Sequence, residues 1–150
     1  MSTSRSAAAK RTPTAAARPR WQTAAAAITE GWGPTAGRVL LGVVLAWFGY
    51  HELVQPALWT GYVPGVSATS TIGVVLVLAH GWLLLVLAVA LIAGIWVRLS
   101  AAVTALLLAE NVVSLTVQGG LSDLSLRDVG VLGLALCLTG ATEQRFILAS

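Results

Sequence analysis

A chain of 150 residues is the size of one domain, and this one is 57% hydrophobic and only 10% charged, outside the balance of a soluble domain in both respects. The net charge of +3 comes mainly from Arg5, Lys10, Arg11, Arg18 and Arg20, a placement that marks topology or contact with anionic lipid and gives no support to nucleic-acid binding. Cys137 is the single cysteine, so no intrachain disulfide forms, and its apolar surroundings read as those of a small core hydrophobe.

Residues 1–35 form a first unit. Met1 to Arg20 is Ser, Thr, Ala, Pro and basic residues without an acid, a composition that buries little apolar surface and is expected to stay disordered. The Ala-rich run Thr23 to Ile28 is too short and too weakly apolar for a signal peptide, so a retained tail is expected. Trp21 and Trp32 bracket an interfacial helix with indoles at headgroup level. Gly31, Gly33 and Pro34 are expected to separate it from the first membrane span.

Residues 36–149 form a second unit, predicted to be a four-transmembrane-helix bundle and hence an all-α membrane protein. The first span begins at Arg38, and Pro56 stops it. At about 100° per residue, Arg38, Gly42, Leu45, Gly49 and Glu52 share one stripe roughly 80° wide. Glycines and charges on one seam of a greasy helix face other helices. After Trp59 and Tyr62, Pro64-Gly65 marks a turn. The second span runs Thr71 to Val97, with Gly73, His80, Leu84, Leu91, Gly94 and Arg98 on one side. The third, Leu99 to Val117, carries Glu110 and Asn111 inside an apolar run. The fourth, from about Leu124 to Thr142, starts with Arg127 and Asp128 and has a small or polar stripe through Asp128, Ala135, Thr139 and Thr142.

With the N-terminus in the cytoplasm, eight of the nine Lys and Arg lie inside and only Arg127 lies outside. The positive-inside rule then predicts an N-in, C-in, multi-pass protein. Glu52 stands roughly 21 Å above Arg38 at 1.5 Å per residue. His80 and Glu110 fall about 13 and 10 Å below the outer ends of their helices. All four helices thus send ionisable groups to one leaflet: His51 and Glu52, His80, Glu110 with Asn111, and Arg127 with Asp128. Each charge at bilayer depth costs at least about 2.5 kcal/mol, so one buried polar cluster is the economical expectation. His80 and Arg127 are the expected partners of the two glutamates.

Holding the bundle together is the plainest role for such a cluster, although interhelical hydrogen bonds average only about 0.6 kcal/mol. Carboxylates and imidazoles at this depth also handle protons or bond the carbonyls of a quinone, with Trp47, Tyr50 and Trp82 as ring walls. Two His and two Glu are donors for a divalent metal, but no tight motif such as HExxH supports one, and no metal is expected. Nucleophile elbow, phosphate loop, CxxC and haem-attachment patterns are all missing. The chain therefore has no self-sufficient catalytic motif, and no covalently bound cofactor is expected.

Arg38-x-x-x-Gly42 and Gly49-Tyr50-His51-Glu52-Leu53 open the pattern, and Trp59-x-x-Tyr62-x-Pro64 follows. Gly94-Ile95-Trp96-Val97-Arg98 and Leu126-Arg127-Asp128-Val129-Gly130 complete it. In order and spacing these resemble DoxX-like membrane proteins over about Arg38 to Thr142. The resemblance implies a four-helix protein of the bacterial inner membrane, with relatives tied to quinone-linked sulfur oxidation or to thiol and oxidative-stress systems. It points to an accessory or quinone-interacting subunit of a redox system, with a soluble or membrane redox partner and a homo-oligomer among the partners to test. Many members carry Lys where this chain has Glu52, and an acid often found early in their second helix would fall near Leu84. Catalytic roles are therefore not carried across. A scaffold for a partner complex and a small proton-linked carrier are the alternatives, the second without a visible pair of inverted broken helices.

Overall fold

The long apolar runs fold as four helices, α1 (Arg20–Val54), α2 (Thr71–Ala93), α3 (Val97–Gly119) and α4 (Asp123–Gly140). The computed structural model describes residues 20–67, 69–141 and 146–148, with side chains from residue 32 onwards, and contains no strand among them. Of the tail expected to be disordered, Met1 to Arg20, residues 1–19 lie outside the described residues, as do Thr142 and Arg145, and Arg20 opens α1. Trp32–Val54, Thr71–Ala93 and Val97–Gly119 are long and apolar enough to cross a membrane. The 18 residues of α4 include Asp123, Arg127 and Asp128 near its start, and α4 is not among these three candidates.

Two expected boundaries are corrected. The break at Gly31, Gly33 and Pro34 does not occur: α1 is continuous for 35 residues with Pro34 inside it. It is about 52 Å long at 1.5 Å per residue, well beyond the roughly 30 Å of a hydrocarbon core. Gly33, without a Cβ, relieves one of the clashes that push a residue before proline out of the helical region. The second correction lies between α2 and α3. Gly94 is a left-handed cap at φ 73° rather than part of a helix face, and Ile95 N–H donates to the Ala90 carbonyl across 2.8 Å, so the chain reverses there. Arg98 consequently belongs to α3.

The other ends follow local chemistry. Pro56 opens a 3-10 turn, Pro56–Leu58, just past the end of α1, and a second covers Thr60–Tyr62. Ser70 and Ser122 cap α2 and α4 by accepting from Ile72 N–H and Ser125 N–H, each satisfying an orphan donor of a first turn.

The seam on α1 is buried along its length, with Arg38 at 1% and Glu52 at 6% exposure and Gly42, Leu45 and Gly49 buried between them. Glycine brings α1 and α2 together. A Cβ at Gly49 would lie 2.7 Å from the Gly81 carbonyl oxygen, and one at Gly42 would lie 2.6 Å from Ile92 Cγ1. Such spacing lets backbones approach closely in lipid, where packing rather than water drives association. Leu41, Leu45, Leu84, Leu91, Ala101, Ala105 and Leu138 fill the core with their buried neighbours. Contacts are densest within the pairs α1–α2 and α3–α4 and sparser between α1 and α4 and between α2 and α3. The fold is two helical hairpins laid together, and the looser seam between them holds a cavity.

At the end where α2 passes into α3, the described C-terminal residues close the bundle. Arg38 Nη2 donates to the Phe146 carbonyl across 3.2 Å, and Leu148 N–H donates to the Gly94 carbonyl across 3.1 Å. The Phe146 ring meets Trp32 edge-on at 6.0 Å. Cys137, expected in the core, is exposed on α4 instead; an apolar run meant for lipid does not tell which of its faces points inward.

Candidate functional site

The glycine crossing fixes what lies just beyond it. Gly49 is three residues before Glu52 and Gly81 is one after His80, so close approach at the glycines presents the two side chains to each other. A Cβ on Gly81 would already stand 3.1 Å from Glu52 Cβ. His80 Nδ1 donates to Glu52 Oε2 across 2.8 Å, an ion pair when His80 is protonated, with side-chain exposures of 27% and 8% respectively. A charge-assisted bond of this kind is stronger than a neutral one.

Glu52 and His80 open onto a cavity of about 550 Å³ lined by all four helices and by the loop after α1. Its polar wall includes Glu110 and Asn111 from α3 and Arg127 and Asp128 from α4, and its aromatic wall is Phe48, Trp59 and Tyr62. Trp59 meets Phe48 edge-on at 5.9 Å and Tyr62 at 6.1 Å. Arg127 lies across the seam between the hairpins. Its guanidinium is 4.9 Å from the centroid of Phe48, while Nε and Nη2 donate to Asp128 Oδ1 at 3.1 and 3.0 Å. Cation and ring tie α4 to α1.

The residues thus surround one cavity but do not form one buried hydrogen-bonded cluster. Glu52 and Asp128 are buried, His51, His80 and Asn111 are half-buried, and Glu110 and Arg127 are exposed. Glu52 finds the partner expected for it in His80. Arg127 instead turns to its neighbour Asp128, and Glu110 makes no hydrogen bond or ion pair among the described residues. His51 borders the cavity with Nδ1 donating to the Trp47 carbonyl one turn back at 2.8 Å, and its ring centre lies 4.3 Å from that of Trp47 with the planes tilted by 38°.

The expected ring walls are corrected. Trp47, Tyr50 and Trp82 are 64%, 58% and 62% exposed and lie outside the cavity, whose rings are those of Phe48, Trp59 and Tyr62. Helical arithmetic carries the reason. At about 100° per residue, Trp47 and Tyr50 stand roughly 140° and 160° from Glu52, whereas Phe48 stands only about 40° away. Trp82 is likewise about 160° from His80. Ser114 and Gln55 also line the cavity, beyond the set expected from the sequence. Ser114 was legible, since it is one turn beyond Glu110 and so on the same face of α3.

No family model, curated protein or solved structure matches this chain.

Among the described residues no three His, Cys, Asp or Glu side chains gather as metal ligands. What the arrangement offers is a recess of ligand size with rings on one side and both hydrogen-bond donors and acceptors on the other.

Proposed function

We propose that the chain is a DoxX-like protein of a bacterial inner membrane, and that its cavity receives the ring of a quinone as an accessory subunit of a membrane redox system. In this reading all four helices cross the bilayer and both termini are cytoplasmic, as the eight-to-one division of basic residues favours. One observation carries it: the looser seam between the hairpins forms a cavity of about 550 Å³ into which each helix sends polar or ionisable groups. Ionisable groups at membrane depth are costly and mark functional pathways. The residues fit a quinone. Phe48 and Trp59 offer ring faces and edges, the Asn111 amide and Arg127 guanidinium offer donors for carbonyl oxygens, and the lipid-embedded flank suits an isoprenoid tail. The Glu52–His80 pair, partly buried beside the ring, is placed to hold a proton.

The test is extraction and rebinding. Solvent extracts of protein purified in mild detergent are expected to contain quinone, and added short-tailed quinone is expected to compete with it. Asn111→Leu should weaken that binding while leaving the bundle folded. A protein that contains no quinone and takes up none when it is added in excess refutes the reading. A second reading, that the chain scaffolds a partner complex, is favoured by the Glu52–His80 bond itself, which is closed within the bundle at 2.8 Å. Its signature is a partner that co-purifies with a quinone-free bundle and stays bound to Glu52→Gln.

A further inference from the structure

The polar groups of the cavity are not equally committed. Glu52 accepts from His80 at 2.8 Å, and Asp128 Oδ1 accepts twice from Arg127 at 3.1 and 3.0 Å. Two of the three carboxylates facing the cavity therefore already have a donor from the chain. Glu110 has none among the described residues. It is exposed on the α3 wall, next to Asn111, whose amide is likewise without a hydrogen bond among the described residues. The α3 wall thus carries a carboxylate with no donor from the chain among the described residues, whereas Glu52 and Asp128 each already accept through one oxygen, Oε2 and Oδ1.

We propose that the cavity prefers the reduced, hydroxyl-bearing form of the ring, a quinol, over the quinone, and that Glu110 reads the difference. This rests on the quinone reading above and specifies which redox form that site retains. A carboxylate only accepts. A quinone oxygen also only accepts, so the two confront each other with lone pairs and neither is satisfied. A quinol O–H donates to the carboxylate in a charge-assisted bond, the stronger class. Asn111 does not discriminate, because its amide both donates and accepts. Arg127 does not discriminate strongly either, because the oxygen of a quinol hydroxyl still accepts from it, and the Nδ1 proton of His80 is already committed to Glu52. Selectivity falls to Glu110, the carboxylate of the cavity without a donor from the chain among the described residues, which as a carboxylate has no proton to give a quinone oxygen.

The test is anaerobic equilibrium binding of a decyl-substituted benzoquinone and of its chemically reduced quinol to the full chain in lipid nanodiscs. One charge-assisted bond present in one form and absent in the other predicts a quinol at least about tenfold tighter. By linkage, the two-electron midpoint potential of the bound couple then rises by about 30 mV per tenfold preference. Glu110→Gln keeps the size of the side chain and supplies a donor, so it should bind quinone at least as well as the native chain and bring the two forms to within about threefold. Because Glu110 is exposed, this variant should melt with the native protein. Equal binding of both forms, or tighter quinone, overturns the inference while leaving the quinone site standing. A quinol preference that survives in Glu110→Gln overturns the role of Glu110. Failure of both forms to bind overturns the quinone reading and this inference together.

Discussion

Leucine at Gly49 tests the contact that aligns the site. An added Cβ alone would stand 2.7 Å from the Gly81 carbonyl oxygen, 3.1 Å from Leu85 Cγ and 3.2 Å from Leu84 Cβ. Comfortable heavy-atom contact begins near 3.5 Å, so α2 must retreat by at least about 0.5 Å even for alanine. Leucine places three further carbons in the same gap, and the nearest obstacle is backbone rather than a mobile side-chain tip. Overpacking a filled interior costs about 1–3 kcal/mol, and this substitution belongs at the top of that range. Better helix propensity than glycine returns at most about 1 kcal/mol. The net loss is at least about 2 kcal/mol. By the relation for water-soluble domains of this length, that lowers the melting temperature by roughly 4–8 °C. Gly133→Leu on α4 is the control, because a Cβ added there would meet nothing within 4 Å; it should match or exceed the native protein. Intrinsic tryptophan fluorescence during heating of detergent-solubilised protein reads both. If Gly49→Leu melts with Gly133→Leu, the α1–α2 crossing has been misassigned, and the pairing of Glu52 with His80 loses its structural cause.

Gly94→Ala forces a side chain into a left-handed position at φ 73°, where its Cβ would also press on the Arg38 guanidinium and the Phe146 carbonyl. The backbone part alone predicts a loss of about 1–2 kcal/mol, and a melting temperature equal to the native one would show that this end is not tightly closed. His80→Ala strands the buried Glu52, 6% exposed, and should cost about 1–3 kcal/mol. Glu52→Gln should cost less, because an amide oxygen still accepts from His80; melts that rank the two variants the other way argue against the 2.8 Å bond. Reporters fused after Ser150 and before Arg38 should both report cytoplasm, whereas a periplasmic C-terminus would mean that α4 does not cross.

The buried seam of α1 was legible from residue spacing, because in lipid the small and charged residues of an otherwise greasy helix have nowhere favourable to point but inward. That logic found Arg38, Gly49 and Glu52, and it brought His80 to the same side as Glu52. It fails for the rings, because the chemistry of Trp47, Tyr50 and Trp82 suits a ring wall but their angle on the helix does not, whereas Phe48 is one turn from Glu52. It also does not tell a buried, paired carboxylate from an exposed one on the wall of the same cavity. Glu52 and Glu110 look alike in their apolar runs, and what separates them is the interhelical distance, tight at the α1–α2 glycines and loose between the hairpins. Pro34 and Gly94 misled in opposite directions: a helix breaker was absorbed, and a residue placed on a helix face became a turn. Both outcomes depend on backbone angles that a residue's identity permits but does not require.

The bundle is fastened unequally at its two ends. Backbone-directed bonds from Arg38 and Leu148 and the Trp32–Phe146 contact clasp the end where α2 turns into α3. At the other end, the Arg127 guanidinium resting 4.9 Å from the centre of the Phe48 ring bridges α4 to α1. A body pinned at one end and lightly latched at the other behaves like a clothes-peg: its jaws part by leverage about the clasp, without unfolding either arm. Amide hydrogens near Phe48 and Arg127 should then exchange sooner than those near Leu41 and Leu91, and Arg127→Ala should hasten the first set and spare the second. Passage of a bulky guest through the membrane-facing side would need the Arg127–Phe48 contact and the 3.4 Å bond from Ser114 Oγ to the Tyr62 carbonyl to yield.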